Sequence, residues 1–134
     1  MLYRIGIRNS MSLKIAIIED DAAIAQMYRM KFEAEGYDVE TAENGQLGLG
    51  LAQTMQPDMI LLDLMMPEMN GDEMLIKMRA TSWGKDIKVI ILTNMGEQEA
   101  PEVLKTLGVS AFIVKADMTP RQVAELVRQT LNVT

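Results

Sequence analysis

The sequence predicts an α/β protein, a doubly wound parallel sheet of five βα units, and two observations carry that expectation. Strand-like and helix-like segments alternate along the chain, the pattern of repeated βαβ units whose crossovers cover both faces of a sheet. In addition, four apolar runs each stop at polar side chains: Leu13–Ile18 at Glu19 and Asp20, Met59–Leu62 at Asp63, Val89–Leu92 at Thr93, and Phe112–Val114 at Lys115. Parallel strands of an open sheet deliver their carboxyl ends to one rim, where such sheets bind ligands. Carboxylates, a hydroxyl and an ammonium would therefore meet in one pocket suited to a phosphoryl group.

Each element follows from local chemistry. After the first strand, Ile24, Met27, Tyr28 and Phe32 recur at helical spacing, and Gly36 closes that helix. Asp38–Ala42 reads as a short strand, Asn44-Gly45 as a turn, and Leu47, Leu51, Ala52 and Met55 as a weaker helix stopped by Pro57. Met59–Leu62 reads as a fully buried strand. Pro67 and Asn70-Gly71 mark a loop, after which Met74, Leu75 and Met78 line one side of a third helix. Val89–Leu92 is the fourth strand. Residues 97–107 give a fourth helix with Val103, Leu104 and Leu107 inward and Gly108 at its end; Pro101 fits only a first turn, so this helix starts late or is loose. Ala111–Val114 is the fifth strand. Thr119, Pro120 and Gln122 form a strong helix start, with Val123, Leu126, Val127 and Leu131 as the buried stripe of the fifth helix. The second strand alone carries no candidate site residue. In the flavodoxin-like order 2-1-3-4-5 that strand is an edge, which leaves the site-bearing strands contiguous.

Composition narrows the chemistry. The chain has 134 residues, enough for one domain with a proper core and not for two. Residues 1–12 read as a disordered leader or an upstream start, with a short added strand at Tyr3–Ile7 as the minor alternative, and residues 13–134 as the domain. The leader is too short and too interrupted by Arg4 and Arg8 for a signal peptide. No apolar stretch approaches the roughly 20 residues of a membrane-spanning helix, so no membrane insertion is expected. A net charge of −6 argues against direct nucleic-acid binding, which relies on clustered Lys and Arg. With no Cys and no His, the chain has no disulfides, no thiolate chemistry, no Ser-His or Cys-His pair and no phosphohistidine of its own.

Glu19, Asp20 and Asp63 would concentrate negative charge, which raises carboxylate pKa values unless a cation sits among them. Oxygen-only ligation points to a hard divalent ion, Mg²⁺ or Mn²⁺. Asp20 and Asp63 are the expected direct ligands, with Glu19 acting through water and the backbone carbonyl of Met65 completing the set. Asp63 is then the expected nucleophile toward a phosphoryl group, and Lys115 and Thr93 the groups that neutralise and orient its oxygens.

The motifs IAIIEDD at 15–21, MILLDLMMPEMNG at 59–71, VIILTN at 89–94 and AFIVK at 111–115 resemble the receiver domain of two-component response regulators, of the single-domain chemotaxis kind, over Leu13 to Leu131. The resemblance implies that Glu19 and Asp20 are the acidic pair, Asp63 the phosphoacceptor, Thr93 the switch hydroxyl, Phe112 the switch aromatic and Lys115 the phosphate-sensing lysine. It implies a phosphoryl donor on a sensor histidine kinase or a histidine phosphotransfer protein, or a small acyl phosphate. It further implies an unknown downstream partner on the fourth helix, fifth strand and fifth helix, and a cytoplasmic location. Such a protein is a phosphoacceptor that catalyses its own phosphorylation rather than an enzyme acting on others.

Two positions depart from the family pattern. Ala116 follows the lysine where Pro is usual, which predicts a trans Lys115–Ala116 bond because a cis bond before a non-proline residue costs about 2.5–4 kcal/mol. Asn94 follows the switch hydroxyl where a small residue is usual, and would narrow access to the phosphate or add a hydrogen bond. Met65 and Met95, beside the expected phosphate, cannot align an attacking water, so slow autodephosphorylation is expected.

Plainer readings stand beside these. Asp21 is a helix cap, Phe112 belongs to the core in any case, and Trp83 is a packed plug. Most of the 13 methionines are adaptable core filler, while Met65, Met66 and Met69 are placed to form an exposed binding surface. A competing function is a constitutive interaction module that kept the acidic rim and lost phosphorylation. A phosphohydrolase with an Asp nucleophile is disfavoured by Ala22, which stands where a second Asp would follow Asp20, and nucleotide or flavin binding by the lack of a Gly-rich loop after the first strand.

Overall fold

The computed structural model describes residues 13–133. The leader over residues 1–12 and the minor strand reading at Tyr3–Ile7 lie outside the described residues. The elements run β1 (Lys14–Ile18), α1 (Ala22–Ala34), β2 (Asp38–Ala42), α2 (Gly45–Met55), β3 (Met59–Leu62), α3 (Gly71–Arg79), β4 (Lys88–Thr93), β5 (Ala111–Val114) and α4 (Pro120–Leu131). All strand pairs are parallel, in the order β2-β1-β3-β4-β5. This is the expected α/β, flavodoxin-like sheet, with β2 at one edge.

The run-like hydrophobicity of β1, β3 and β4 has the cause expected of a parallel sheet, since both faces are covered. Alternate residues serve two cores. Ile15, Ile17, Met59, Leu61, Ile90 and Leu92 pack against Tyr28 and Phe32 of α1 and Val123 and Val127 of α4. Ala16, Ile18, Ile60, Leu62, Val89 and Ile91 pack against Ala52 of α2 and Met74, Leu75 and Met78 of α3. The rings of Tyr28, Phe32 and Tyr37 form a chain, with centroids 5.7 and 6.2 Å apart.

Helix ends are set by side chains. The Asp21 carboxylate accepts from the N–H groups of Ala23 and Ile24, which is the capping role the sequence assigned to it. At α4, Thr119 Oγ1 accepts from Gln122 N–H and the Gln122 side chain accepts in return from Thr119 N–H, 3.2 and 2.8 Å. Asn44-Gly45, read as a turn, is instead the start of α2: the Asn44 side chain accepts from Leu47 N–H at 2.8 Å. Asn70-Gly71 likewise opens α3, with the Glu73 carboxylate accepting from Asn70 N–H at 3.1 Å.

The fourth helix is the main correction. Residues 97–107 hold no α-helix; they form two 3₁₀ turns, Glu97–Glu99 and Glu102–Thr106, on either side of Pro101. Proline lacks the N–H that an α-helix would need there and fixes its own φ, here −58°. The tighter turn also rotates the apolar set. Leu104 faces the core as expected, Leu107 is half-buried, and Val103 points out with 37% of its surface exposed. Among the described residues the sheet is thus flanked by four α-helices, and the surface expected on a fourth helix is made of these 3₁₀ turns.

Candidate functional site

The strand register builds the site. Ile18 of β1 pairs with Leu62 of β3, so Glu19 and Asp63 leave the sheet at the same level. Their backbones are held by Asp63 N–H to Ile18 O, 3.0 Å, and Glu19 N–H to Ala42 O, 2.9 Å. On the other side Thr93 pairs with Val114, which puts Lys115 one step beyond the end of β5. The rim therefore gathers Glu19, Asp20, Asp63, Thr93 and Lys115 because four contiguous parallel strands, β1, β3 and β4 largely buried and β5 half-buried, stop together.

Glu19 and Asp63 are buried while Asp20 is exposed. One carboxylate oxygen from each lies within 4.8 Å of the others. Lys115 Nζ stands 2.7 Å from Glu19 Oε1 and 3.4 Å from Asp63 Oδ2. The other Glu19 oxygen accepts from Asp21 N–H at 3.1 Å. No peptide bond among the described residues is cis, so the Lys115–Ala116 bond is trans as expected, and the ammonium nevertheless reaches the acids.

Burial pushes the Glu19 carboxyl up to about 7; the Lys115 hydrogen bond and the Asp21 N–H pull it back only in part, and the Asp63 charge adds to the rise. Burial works against the Lys115 ammonium too, but its bond to Glu19 and the charge of Asp63 outweigh that and hold it above the usual lysine range. Three carboxylates gather around one ammonium, and an all-oxygen donor set of that kind fits a hard divalent cation.

The remaining predicted residues fall around this centre. Thr93 is buried, and its hydroxyl accepts from Met95 N–H at 3.3 Å. Met65 N–H donates to Asp63 Oδ1 at 3.4 Å, while the Met65 side chain is 60% exposed. Asn94 is exposed and Met95 half-buried against the α2–α3 core. Phe112 is half-buried against that core and also lines an open groove of about 350 Å³ with Pro101, Leu104 and Val109. The exposed methionine surface is smaller than expected. Met66 is buried and Met69 half-buried, which leaves Met65. Trp83 packs half-buried on the same core, the plug the sequence suggested.

Three positioning residues escaped the sequence reading. A Cβ on Gly71 would collide with the carbonyl oxygen of Asp63, and Gly71 N–H donates to Leu64 O at 2.9 Å. A Cβ on Gly45 would collide with the Met69 carbonyl, to which Gly45 N–H donates at 2.9 Å. These contacts press the loop after Asp63 against α2 and α3. The signal was present in both Asn-Gly pairs, but it was spent on a turn at Asn44-Gly45 and a loop at Asn70-Gly71. Arg79, at the end of α3, donates to the carbonyls of Leu107, Gly84, Ile87 and Gly108 at 2.7, 2.9, 2.7 and 3.3 Å, and nothing in a single sequence marks that arginine.

Residues 15–128 match the response regulator receiver domain family. The chain belongs to that family. Among solved structures, a chemotaxis-like receiver domain from Methanospirillum hungatei is 29% identical with a TM-score of 0.82, covering 90% of this chain and 94% of that one. The chemotaxis protein CheY4 of Vibrio cholerae is 29% identical at a TM-score of 0.80, covering 88% and 98%. Among curated relatives, the phosphatase-synthesis regulator PhoP of Bacillus subtilis is 32% identical over 122 residues, 90% of this chain and 49% of PhoP. The DNA-binding regulator RpaA of a Synechocystis strain is 40% identical over 84 residues, 63% of this chain and 35% of RpaA. The chain spans half or less of these curated regulators. Receiver domains of two-component systems bind Mg²⁺ at an acidic pocket and interact with histidine kinases or phosphotransfer proteins, and this receiver has the acidic cluster. No helix among the described residues is long and apolar enough to cross a membrane.

Proposed function

We propose that this receiver domain is a phosphoacceptor switch, loaded at Asp63. The observation that carries the reading is the convergence of Glu19, Asp20, Asp63 and the Lys115 ammonium on one rim of a receiver fold. An Asp63 carboxylate oxygen forms a bond to phosphorus as the donor's P–N bond breaks, and the electron pair leaves with the imidazole of a sensor kinase or phosphotransfer protein. Lys115 neutralises a phosphoryl oxygen, and the Thr93 hydroxyl leaves Met95 N–H to meet another. Asp20, Asp63 and the Met65 carbonyl are the ligands for Mg²⁺ or Mn²⁺, with Glu19 acting through water; bound there, the ion supplies charge neutralisation to the transferring group. Movement of Thr93 and Phe112 alters the surface formed by the 3₁₀ turns, β5 and α4, where a downstream protein binds. Asn94 and Met95 border the approach to the phosphate, and with Met65 they leave the aspartyl phosphate slow to hydrolyse.

Acetyl phosphate with Mg²⁺, followed by intact mass measurement, tests the assignment. One added phosphoryl group on the native chain and none on Asp63→Asn is the expected result. An unmodified native chain would favour the second reading, a constitutive interaction module. The approach of Lys115 to the acids without a following proline counts against that module.

A further inference from the structure

The described methionines span the range from fully buried to exposed, with Met55, Met69, Met95 and Met118 half-buried between the extremes. Met59, Met66, Met74 and Met78 are buried, whereas Met27, Met30 and Met65 are 40%, 61% and 60% exposed. Met27 and Met30 lie on the outer side of α1, well along the helix; Met65 lies in the loop that leaves Asp63, its N–H on the Asp63 carboxylate. The chain has no cysteine, so a thioether is the softest nucleophile it offers an oxidant. Met95, the other methionine beside the site, is half-buried against the core and shielded by comparison.

We propose that Met65 is an oxidation site whose sulfoxide shortens the life of the phosphorylated state, making the switch responsive to peroxide. The proposal rests on the Asp63 reading and adds to it a modification and a regulatory input. A lone pair on the Met65 sulfur attacks one oxygen of hydrogen peroxide, the O–O bond breaks, and the departing hydroxide takes up the remaining proton as water. The product carries a polar S–O group in place of an apolar thioether. Three rotatable bonds let that oxygen sweep the mouth of the site, where it accepts a hydrogen bond from a water facing the phosphorus. That water then forms its bond to phosphorus, the bond from phosphorus to the Asp63 oxygen breaks, and the carboxylate returns as the water's proton passes to solvent.

The test treats the full chain with hydrogen peroxide, maps sulfoxides by peptide mass spectrometry, loads it with acetyl phosphate and Mg²⁺, and follows phosphoryl loss after the donor is removed. Met65 should oxidise well before Met59 and Met74. The half-life should fall roughly two- to tenfold, the factor one net hydrogen bond to the attacking water contributes. Methionine sulfoxide reductase should restore it, and in Met65→Leu the ratio of treated to untreated half-lives should stay near one. Peroxide-independent decay in a normally loading chain, or an acceleration that survives in Met65→Leu, overturns this proposal alone. Failure of the untreated chain to load overturns the Asp63 reading and this proposal with it.

Discussion

Lys115 is the one cationic side chain that the described residues bring within ion-pair distance of Asp63. Removing it should leave binding of a small phosphoryl donor largely intact and slow transfer, because its charge acts where negative charge is concentrated. Lys115→Met is expected to lower the rate of loading from acetyl phosphate by about 10²-fold, the usual cost of losing one preorganised donor, measured by rapid-quench phosphorylation. Glu19 gives a prediction about pH. Its carboxyl titrates near 4.5 when the chain is unfolded and near 7 when folded without metal. The folded chain therefore binds the extra proton between those values. That stabilising contribution is complete below 4.5 and lost as pH rises to 7. Urea midpoints in EDTA should fall over this window, and the fall should shrink in Glu19→Gln.

At the level of elements, the loop after Asp63 is shaped by what its neighbours lack. Gly71→Ala would force a methyl group into the Asp63 carbonyl, so a loss of about 1–3 kcal/mol in urea unfolding is expected, together with slower loading because the acceptor itself shifts. The fourth crossover makes the opposite case. Pro101→Ala removes the proline that separates two 3₁₀ turns, and far-ultraviolet circular dichroism should show added helix. These two elements also mark what a sequence can and cannot reveal. The central strands β1, β3 and β4 were legible because burial on both faces writes continuous apolar runs. Glu19, Asp20, Asp63, Thr93 and Lys115 were legible because each ends such a run. The crossover misled because Val103, Leu104 and Leu107 satisfy a helical repeat, so Pro101 reads as the sign of a late or loose helix, whereas it separates two 3₁₀ turns. The glycine contacts and the Arg79 clamp were hidden for a different reason: they depend on how close two backbones come, and spacing along a chain carries no such distance.

For the whole molecule, the two cores and the site are one construction. Side chains of β1, β3 and β4 alternate between the faces, so the rim residues inherit their positions from packing on both sides. Truncating Phe32, fully buried at the centre of one core, should cost about 3–5 kcal/mol as Phe32→Ala, and thermal unfolding followed by circular dichroism checks it. Divalent cation should act in the other direction. Binding to the folded rim alone raises stability with the logarithm of concentration, so the midpoint should climb steadily with added Mg²⁺ and lose most of that climb in Asp20→Asn.

Arg79 grips carbonyl oxygens, and every amino acid has one. Exposed positions such as Lys85, Asp86, Glu102 and Lys105 can therefore change without loosening the joint beneath, whereas Gly84, where a Cβ would strike Met78, and Gly108, at φ +67°, cannot. Relatives using this joint would be free to diversify the neighbouring surface for new associates. The guanidinium itself has no such latitude, since a lysine ammonium cannot span four acceptors spread across a plane.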